Sequence, residues 1–268
     1  MTLRCLRYGV RIATGSSDLG MTENMSGHSK WHKIQHKKGA ADARRGGLFT
    51  KLLRGVTVAA QQGGGDPETN FALRLAMEKA RFGNVPKDNV ERAIKRGTGE
   101  LKDEAAIAEA MYEGYGPGGI AVLIDAATDN PTRTVADIKH VFSKHGGSLG
   151  AQGSVKWQFA RLGIIRVDNN QQSAIGNRKS EFELALIDAG ADDIIESEFG
   201  IEIRCSVEKF QKVLEAVRSF GVEPADSGLE WVAKEEMTAD DETSKQMEEL
   251  YDALDELDDV REIYTNEK

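Results

Sequence analysis

From Ala40 to Gln62 the apolar positions recur at helical spacing. Leu48, Leu52, Val56 and Ala59 share one side, and Gly63-Gly64-Gly65-Asp66-Pro67 stops the run. A second helix is predicted over about Asn70–Arg81, with Phe71, Leu75 and Ala76 together. A third begins at Pro86, a residue suited to the first helical position, and ends before Gly97. Its apolar stripe is Val90, Ala93 and Ile94, which leaves Lys87, Arg92, Lys95 and Arg96 on the polar side. The period then changes. Met111–Tyr115 and Ile120–Ala126, either side of a glycine-rich turn, read as a β-hairpin. Asn130-Pro131 opens a helix carrying Val135, Ile138, Val141 and Phe142, and Gly146-Gly147 closes it. Val155, Trp157 and Phe159 alternate with polar residues, so Ser154–Ala160 reads as a strand.

Gly163–Val167 reads as a further strand. Ser180 and Glu183 have the spacing of a capping box, opening a helix with Phe182, Ala185, Leu186 and Ala189 that closes at Gly190. Strands follow at about Asp193–Glu198 and Ile201–Cys205. Ser206 then caps a helix with Phe210, Val213, Leu214 and Val217 inward, and another strand is expected near Glu223–Asp226. That order is the ferredoxin-like split βαβ pattern. The tail reads as a strand over Glu230–Glu236, an acidic helix over about Asp240–Leu257 and a strand over Val260–Tyr264. It needs a sheet to join, and the most economical partner is the hairpin and helix of residues 105–150.

The expected fold class is therefore α+β and multidomain. A small all-α domain over 26–102 precedes two α+β domains, one inserted in the other. Residues 103–153 with 229–268 form the discontinuous domain, and 154–228 the inserted, ferredoxin-like one; three domains with consecutive boundaries are the alternative. Residues 1–25 read as a disordered extension or an over-long start. Arg4, Arg7 and Arg11 precede the first acid, Asp18, so an organelle presequence is the competing reading.

Composition changes this picture in one respect. The formal net charge of −9 disfavours nucleic acid as a partner, but the charge is segregated. Ser26–Arg54 carries Lys30, Lys33, Lys37, Lys38, Arg44, Arg45, Lys51 and Arg54 against Asp42 alone. The last 34 residues, Glu235–Lys268, carry 14 acids against Lys245, Arg261 and Lys268. One end can attract phosphate while the other keeps the chain soluble. No run approaches the roughly 20 apolar residues a bilayer requires, so a cytoplasmic protein without a membrane partner is expected. Cys5 and Cys205 lie far apart in sequence and argue against a disulfide framework or a cysteine metal cluster.

Candidate chemistry is sparse. Gly114-Tyr-Gly-Pro-Gly-Gly119 spells G-x-G-x-x-G, but a strand follows where a dinucleotide site needs a helix, and Pro117 lacks an amide donor. It reads as a structural turn. His28, His32 and His36 would stack on one helix face, yet the surrounding cations oppose a metal dication. No constellation for nucleophilic or acid–base catalysis stands out, so no enzyme, cofactor or metal is expected. The basic segment remains. Trp31 and the three histidines His28, His32 and His36 interleave with its cations as planar groups able to stack on bases, and Gly27, Gly39, Gly46 and Gly47 allow close backbone approach. The plain alternatives are a solvated lysine-rich helix or a surface that docks an acidic protein.

Met25-Ser-Gly-His-Ser-Lys-Trp, His36-Lys-Lys, Asp42-Ala-Arg-Arg, Phe49-Thr-Lys-Leu, Gly63-Gly-Gly-Asp-Pro, Tyr112-Glu-Gly-Tyr-Gly-Pro-Gly-Gly, Arg133-Thr-Val-Ala-Asp, Gly146-Gly-Ser-Leu-Gly and the Val260–Asn266 ending closely resemble the YebC family. The resemblance covers about Met25–Glu267; residues 1–24 depart from it, which favours Met25 as the start. It implies a helical N-terminal domain and two α+β domains, the third inserted in the second. It also implies a regulatory role. Bacterial members are described as DNA-binding transcriptional regulators, the mitochondrial relative as a translational activator of cytochrome oxidase, and members are connected with helping ribosomes through proline-rich stretches. The implied partner is nucleic acid, either DNA or the ribosomal RNA of the ribosome.

Replacing Lys37, Lys38, Arg44 and Arg45 together by Ala is expected to weaken binding to nucleic acid and flatten its salt dependence. Titrations at several salt concentrations should show the log–log slope falling by about 0.7 to 0.9 for each phosphate that is no longer neutralised. An unchanged slope would favour the acidic-protein alternative.

Overall fold

The computed structural model describes residues 43–101, 106–169, 171, 175–197 and 200–268. Three helices come first: α1 (Ala43–Gly63), α2 (Phe71–Phe82) and α3 (Lys87–Gly97). Then follow β1 (Ala108–Tyr115), β2 (Ala121–Thr128), α4 (Pro131–Lys144) and the short β3 (Ser148–Leu149). Next are β4 (Phe159–Asp168), α5 (Lys179–Ala189), β5 (Ala191–Ser197), β6 (Gly200–Cys205) and α6 (Phe210–Ser219). The chain ends with β7 (Asp226–Ala233), α7 (Asp241–Asp255) and β8 (Val260–Thr265). The fold is α+β and multidomain, with sheets of strand order β3-β1-β2-β8 and β5-β6-β4-β7. The described residues form two compact units, one within 161–231 and the other within 43–160 together with 232–268.

In the larger unit β1 and β2 form an antiparallel hairpin, Tyr115 opposite Ala121, and β8 pairs antiparallel with β2, Leu123 opposite Tyr264. Helices α4 and α7 supply Ile138, Phe142, Met247, Leu250 and Leu254 to one buried core with Val122, Ile124, Val260 and Ile263. The hairpin connection holds Gly118 at φ +68° and Gly119 at φ +78°, conformations that favour glycine, and a Cβ at Gly118 would crowd Thr243 of α7. The glycine run is therefore a turn packed under α7.

Helix α1 is buried on two sides. Val56, Ala59 and Ala60 meet Leu73, Ala80, Val85, Val90 and Ala93 of the helical layer. Val58 meets Ile107 and Ala127, which belongs to β2. A buried polar cluster completes this junction. Asp259, just before β8, is 6% exposed. Its carboxylate pairs with Arg54 of α1 and accepts from Arg133 of α4 at 2.8 Å and from the hydroxyls of Thr134 at 2.6 Å and Thr128 at 3.1 Å. Arg54 also donates to the carbonyls of Ala127 (2.9 Å) and Asp258 (2.8 Å). One carboxylate thus ties α1, β2 and α4 to the start of β8.

In the unit of residues 161–231, β6 pairs antiparallel with both β4 and β5. The order β5-β6-β4-β7 is that of a ferredoxin-like split βαβ sheet. Phe182, Leu186, Phe210, Val213, Leu214 and Val217 of α5 and α6 are buried with Ile165 and Ile203. Arg166 lies among Glu202 (2.9 Å), Glu230 (2.7 Å) and Asp226 (3.3 Å), joining β4, β6 and β7 by charge.

Several sequence expectations need correction. Of the strand expected at Ser154–Ala160 only the last two residues are extended, as the start of β4; Ser154–Gln158 is a loop with a 3₁₀ turn at Lys156–Gln158. The cause is Glu113, whose buried carboxylate collects the amides of Gly153, Val155 and Lys156 and curls the segment around itself. The strands expected at 223–226 and 230–236 are one strand, β7. The Ser180–Glu183 capping box is unused, because α5 is preceded by a 3₁₀ turn at Gly176–Arg178 and starts at Lys179. Ser206 makes no capping bond either, since a 3₁₀ turn at Val207–Lys209 precedes α6. Pro86 sits one residue before α3 rather than within it.

Burial pushes the Asp259 carboxyl up, but its bonds from Arg133, Thr134 and Arg54 outweigh this and hold it at about 2. An aspartate in the unfolded chain titrates near 3.9. The cluster should therefore stabilise the fold fully above about pH 4, and that contribution should be lost as pH falls through about 2. Asp259→Ala should lower stability by about 3 kcal/mol at neutral pH, by leaving Arg54 without its counter-charge. Denaturant unfolding of both proteins at pH 7 and pH 2.5 checks this; an equal difference at both pH values would contradict it.

Candidate nucleic-acid interface

The helical layer is arranged so that α3 shows one side to solvent. Asn70 sets its first corner: its amide donates to the carbonyls of Ala59 (2.7 Å) and Gly64 (2.8 Å), while its side-chain oxygen accepts from Leu73 N, capping α2. Gly97 sets the last. A Cβ there would overlap the Thr57 carbonyl and lie 2.8 Å from Ala60, so only glycine lets the end of α3 rest on α1. Between them Val90 and Ala93 are buried, and Lys87, Arg92 and Lys95 are exposed while Arg96 is half-buried. Lys87 faces Glu91 at 3.7 Å, a solvent-exposed pair that holds little energy.

The other predicted residues divide sharply. His28, Lys30, Trp31, Lys33, His36, Lys37 and Lys38 lie outside the described residues. Arg44 and Arg45 fall in the first turn of α1, and their side chains lie outside the description too. Lys51 and Arg54 are turned inward to the acidic C-terminal region. Lys51 donates to the Asp255 carboxylate at 2.9 Å and to the Asp255 carbonyl, and Arg54 joins the Asp259 cluster. With side chains only 12% and 15% exposed, these two cations hold α1 to its own chain and have little charge left for phosphate. The acidic tail is therefore not only a solvated face: Asp255 and Asp259 are the counter-ions of the basic segment's end.

The sequence reading missed a planar pair at the end of α2. Phe82 is 60% exposed, and the Arg81 guanidinium lies 5.7 Å from its ring centroid. An exposed aromatic ring with a guanidinium close by suits nucleobases. The signal was available: an aromatic residue directly before the Gly83 helix stop, one position beyond the predicted end. Among the described residues no group of three or more His, Cys, Asp or Glu side chains could hold a metal ion, and no helix is long and apolar enough to cross a membrane.

Two family models match the chain. Residues 29–100 match the TACO1/YebC protein N-terminal domain, and residues 107–267 the TACO1/YebC second and third domain. A probable transcriptional regulatory protein of Herpetosiphon aurantiacus is 47% identical over 242 residues, covering 90% of this chain and 94% of that one. One of the same description from Thiobacillus denitrificans is 48% identical over 247 residues, covering 90% and 98%. The crystal structure of a conserved hypothetical protein from Aquifex aeolicus superposes with a TM-score of 0.78 at 41% identity, covering 89% of this chain and 96% of that one.

Arg54→Ala should lower stability by about 2 kcal/mol, because Asp259 loses a bonded partner at a buried site. Lys87→Ala with Lys95→Ala, on the open side of α3, should stay within about 0.5 kcal/mol of the parent. Denaturant midpoints of the two variants measure this contrast; equal losses would show that α3 is not an independent surface.

Proposed function

The chain belongs to the TACO1/YebC family, and on that premise we propose that it is a nucleic-acid-binding regulatory protein, a DNA-binding transcriptional regulator that meets phosphate through its helical N-terminal region. The observation that carries the reading is the division of the cations. The side chains of Lys51 and Arg54 are turned inward to the acidic tail, whereas those of Lys87, Arg92 and Lys95 are exposed on a helix with a buried apolar stripe. The remaining six cations of the basic segment, from Lys30 to Arg45, precede them in the chain without a matching run of acids. The relatives described as probable transcriptional regulatory proteins support the same reading. Phosphate contacts of this kind give affinity and orientation without reading sequence. The 103–153 with 229–268 and 154–228 domains of this proposal offer surfaces for protein partners. Nothing in the arrangement calls for a catalytic role, and the proposal includes none.

A second reading has one observation in its favour. Phe82 and Trp157 are exposed planar side chains, 60% and 67%, and such groups suit unpaired bases better than a closed duplex. That reading is a ribosome-associated translation factor bound to ribosomal RNA and acting at proline-rich stretches.

Ultraviolet crosslinking in cells, followed by purification of the protein and sequencing of both attached DNA and RNA, separates the two. The proposal expects enrichment of DNA upstream of genes whose transcripts change on deletion. Ribosomal RNA as the dominant species would replace it with the second reading. Recovery of neither nucleic acid would overturn both.

A further inference from the structure

The loop between β3 and β4 holds an aromatic ring in the open and fixes it there. Four amides bind Glu113 of β1. Gly150 N donates to its carbonyl (2.7 Å), Gly153 N to Oε1 (2.7 Å), and Val155 N and Lys156 N to Oε2 (2.8 Å each). Glu113 is 2% exposed. Burial raises its carboxyl, and the three amides together bring it below its ordinary value, so it stays ionised and keeps its grip at neutral pH. The Ser154 carbonyl, at the crest of the loop, accepts from Tyr115 Oη at 2.9 Å and from Trp157 Nε1 at 3.0 Å. Trp157 is nevertheless 67% exposed, more than any other large apolar side chain among the described residues.

This arrangement is unusual for a tryptophan that merely failed to find a core. Its one polar atom is already satisfied, so no polar partner is needed at Nε1 and the indole edge is pinned. What remains for a partner is the π-face. Cations flank it. Lys156 is the preceding residue and is exposed, and Lys234 donates from Nζ to the Trp157 carbonyl at 2.8 Å. Glu235 and Glu236 follow Lys234 in the chain, so the surroundings are mixed in charge. A phosphate-tracking groove would be uniformly basic; a stacking position needs only a rigid ring with a cation or two at its rim.

We propose that Trp157 is a stacking platform for an unpaired base of single-stranded nucleic acid, with Lys156 and Lys234 beside the adjoining backbone. The proposal rests on the nucleic-acid reading above and adds to it a second contact that is distant in sequence from the basic segment and governed by stacking rather than charge. Loss of such a stack costs roughly tenfold or more in affinity. Because few phosphates are involved, the salt slope should barely change.

The test uses the full-length chain, and the emission of Trp157 is read as the difference between the native protein and Trp157→Phe. A single-stranded oligouridylate and a blunt DNA duplex are titrated separately, following both Trp157 emission and, by anisotropy of an end label, binding. The expected result is quenching by the single strand and little change with the duplex. Trp157→Ala, made in the otherwise native chain, should weaken single-strand binding about tenfold with an unaltered log–log salt slope, and Trp157→Phe should recover part of it. Because the ring is exposed, circular dichroism of both variants should match the parent. Binding of the single strand with unmoved Trp157 emission and full affinity in Trp157→Ala would overturn the platform while leaving the basic region's role intact. Failure of both nucleic acids to bind would overturn the platform and the nucleic-acid reading together.

Discussion

A single carboxylate, that of Asp259, sits where the helical layer meets the sheet. Buried anions of this kind are tolerable only when fully partnered, and Asp259 has Arg54, Arg133, Thr134 and Thr128 around it. Each partner comes from the chain's first half, while Asp259 comes from near its end. The cluster therefore does more than add stability. It fixes the orientation of α1, and α1 in turn carries α2 and α3 through Val56, Ala59 and Ala60. The outward side of α3 is a consequence of how α1 is seated.

The same cluster resolves the apparent conflict between an acidic chain and a phosphate partner. A segment with a net charge of +7 would be expected to meet the acidic tail somewhere, since opposite charges in one chain attract. They do meet, at Lys51–Asp255 and Arg54–Asp259, but at the C-terminal end of the segment. That leaves the fold and the proposed interface using different members of one basic run. The acids that neutralise are those next to β8, whereas Asp240 of the tail caps α7 by accepting from Thr243 N at 2.8 Å.

Much of the architecture was legible in the pattern of residues. Helical spacing in Ala40–Gln62, the glycine stops and the alternation around Tyr115 and Ile120 all reflect local rules, and α1, α2, α3 and the hairpin lie within a few residues of expectation. The misses share a different cause. Val155, Trp157 and Phe159 alternate as a strand would, but Glu113, some forty residues earlier, competes for the amides of that segment. Ser180 and Ser206 have the right spacing to cap, yet 3₁₀ turns ahead of α5 and α6 take their place. Of the candidate site, the charge bias was visible and its division was not. Nothing local marks Lys51 and Arg54 as inward-turned cations; only the tertiary position of Asp255 and Asp259 does. Trp157 illustrates the same limit, since its alternation suggested a buried position and the loop instead leaves it in solvent.

The central claim is that the basic segment meets phosphate with cations other than the two latched to the tail. The salt dependence of binding by the full chain, to duplex DNA and to ribosomal RNA, tests it most directly. The six other cations of the segment, Lys30 to Arg45, engaged together predict a log–log slope on the order of −4 to −5 with the physiological target. A slope near zero with both nucleic acids would contradict it.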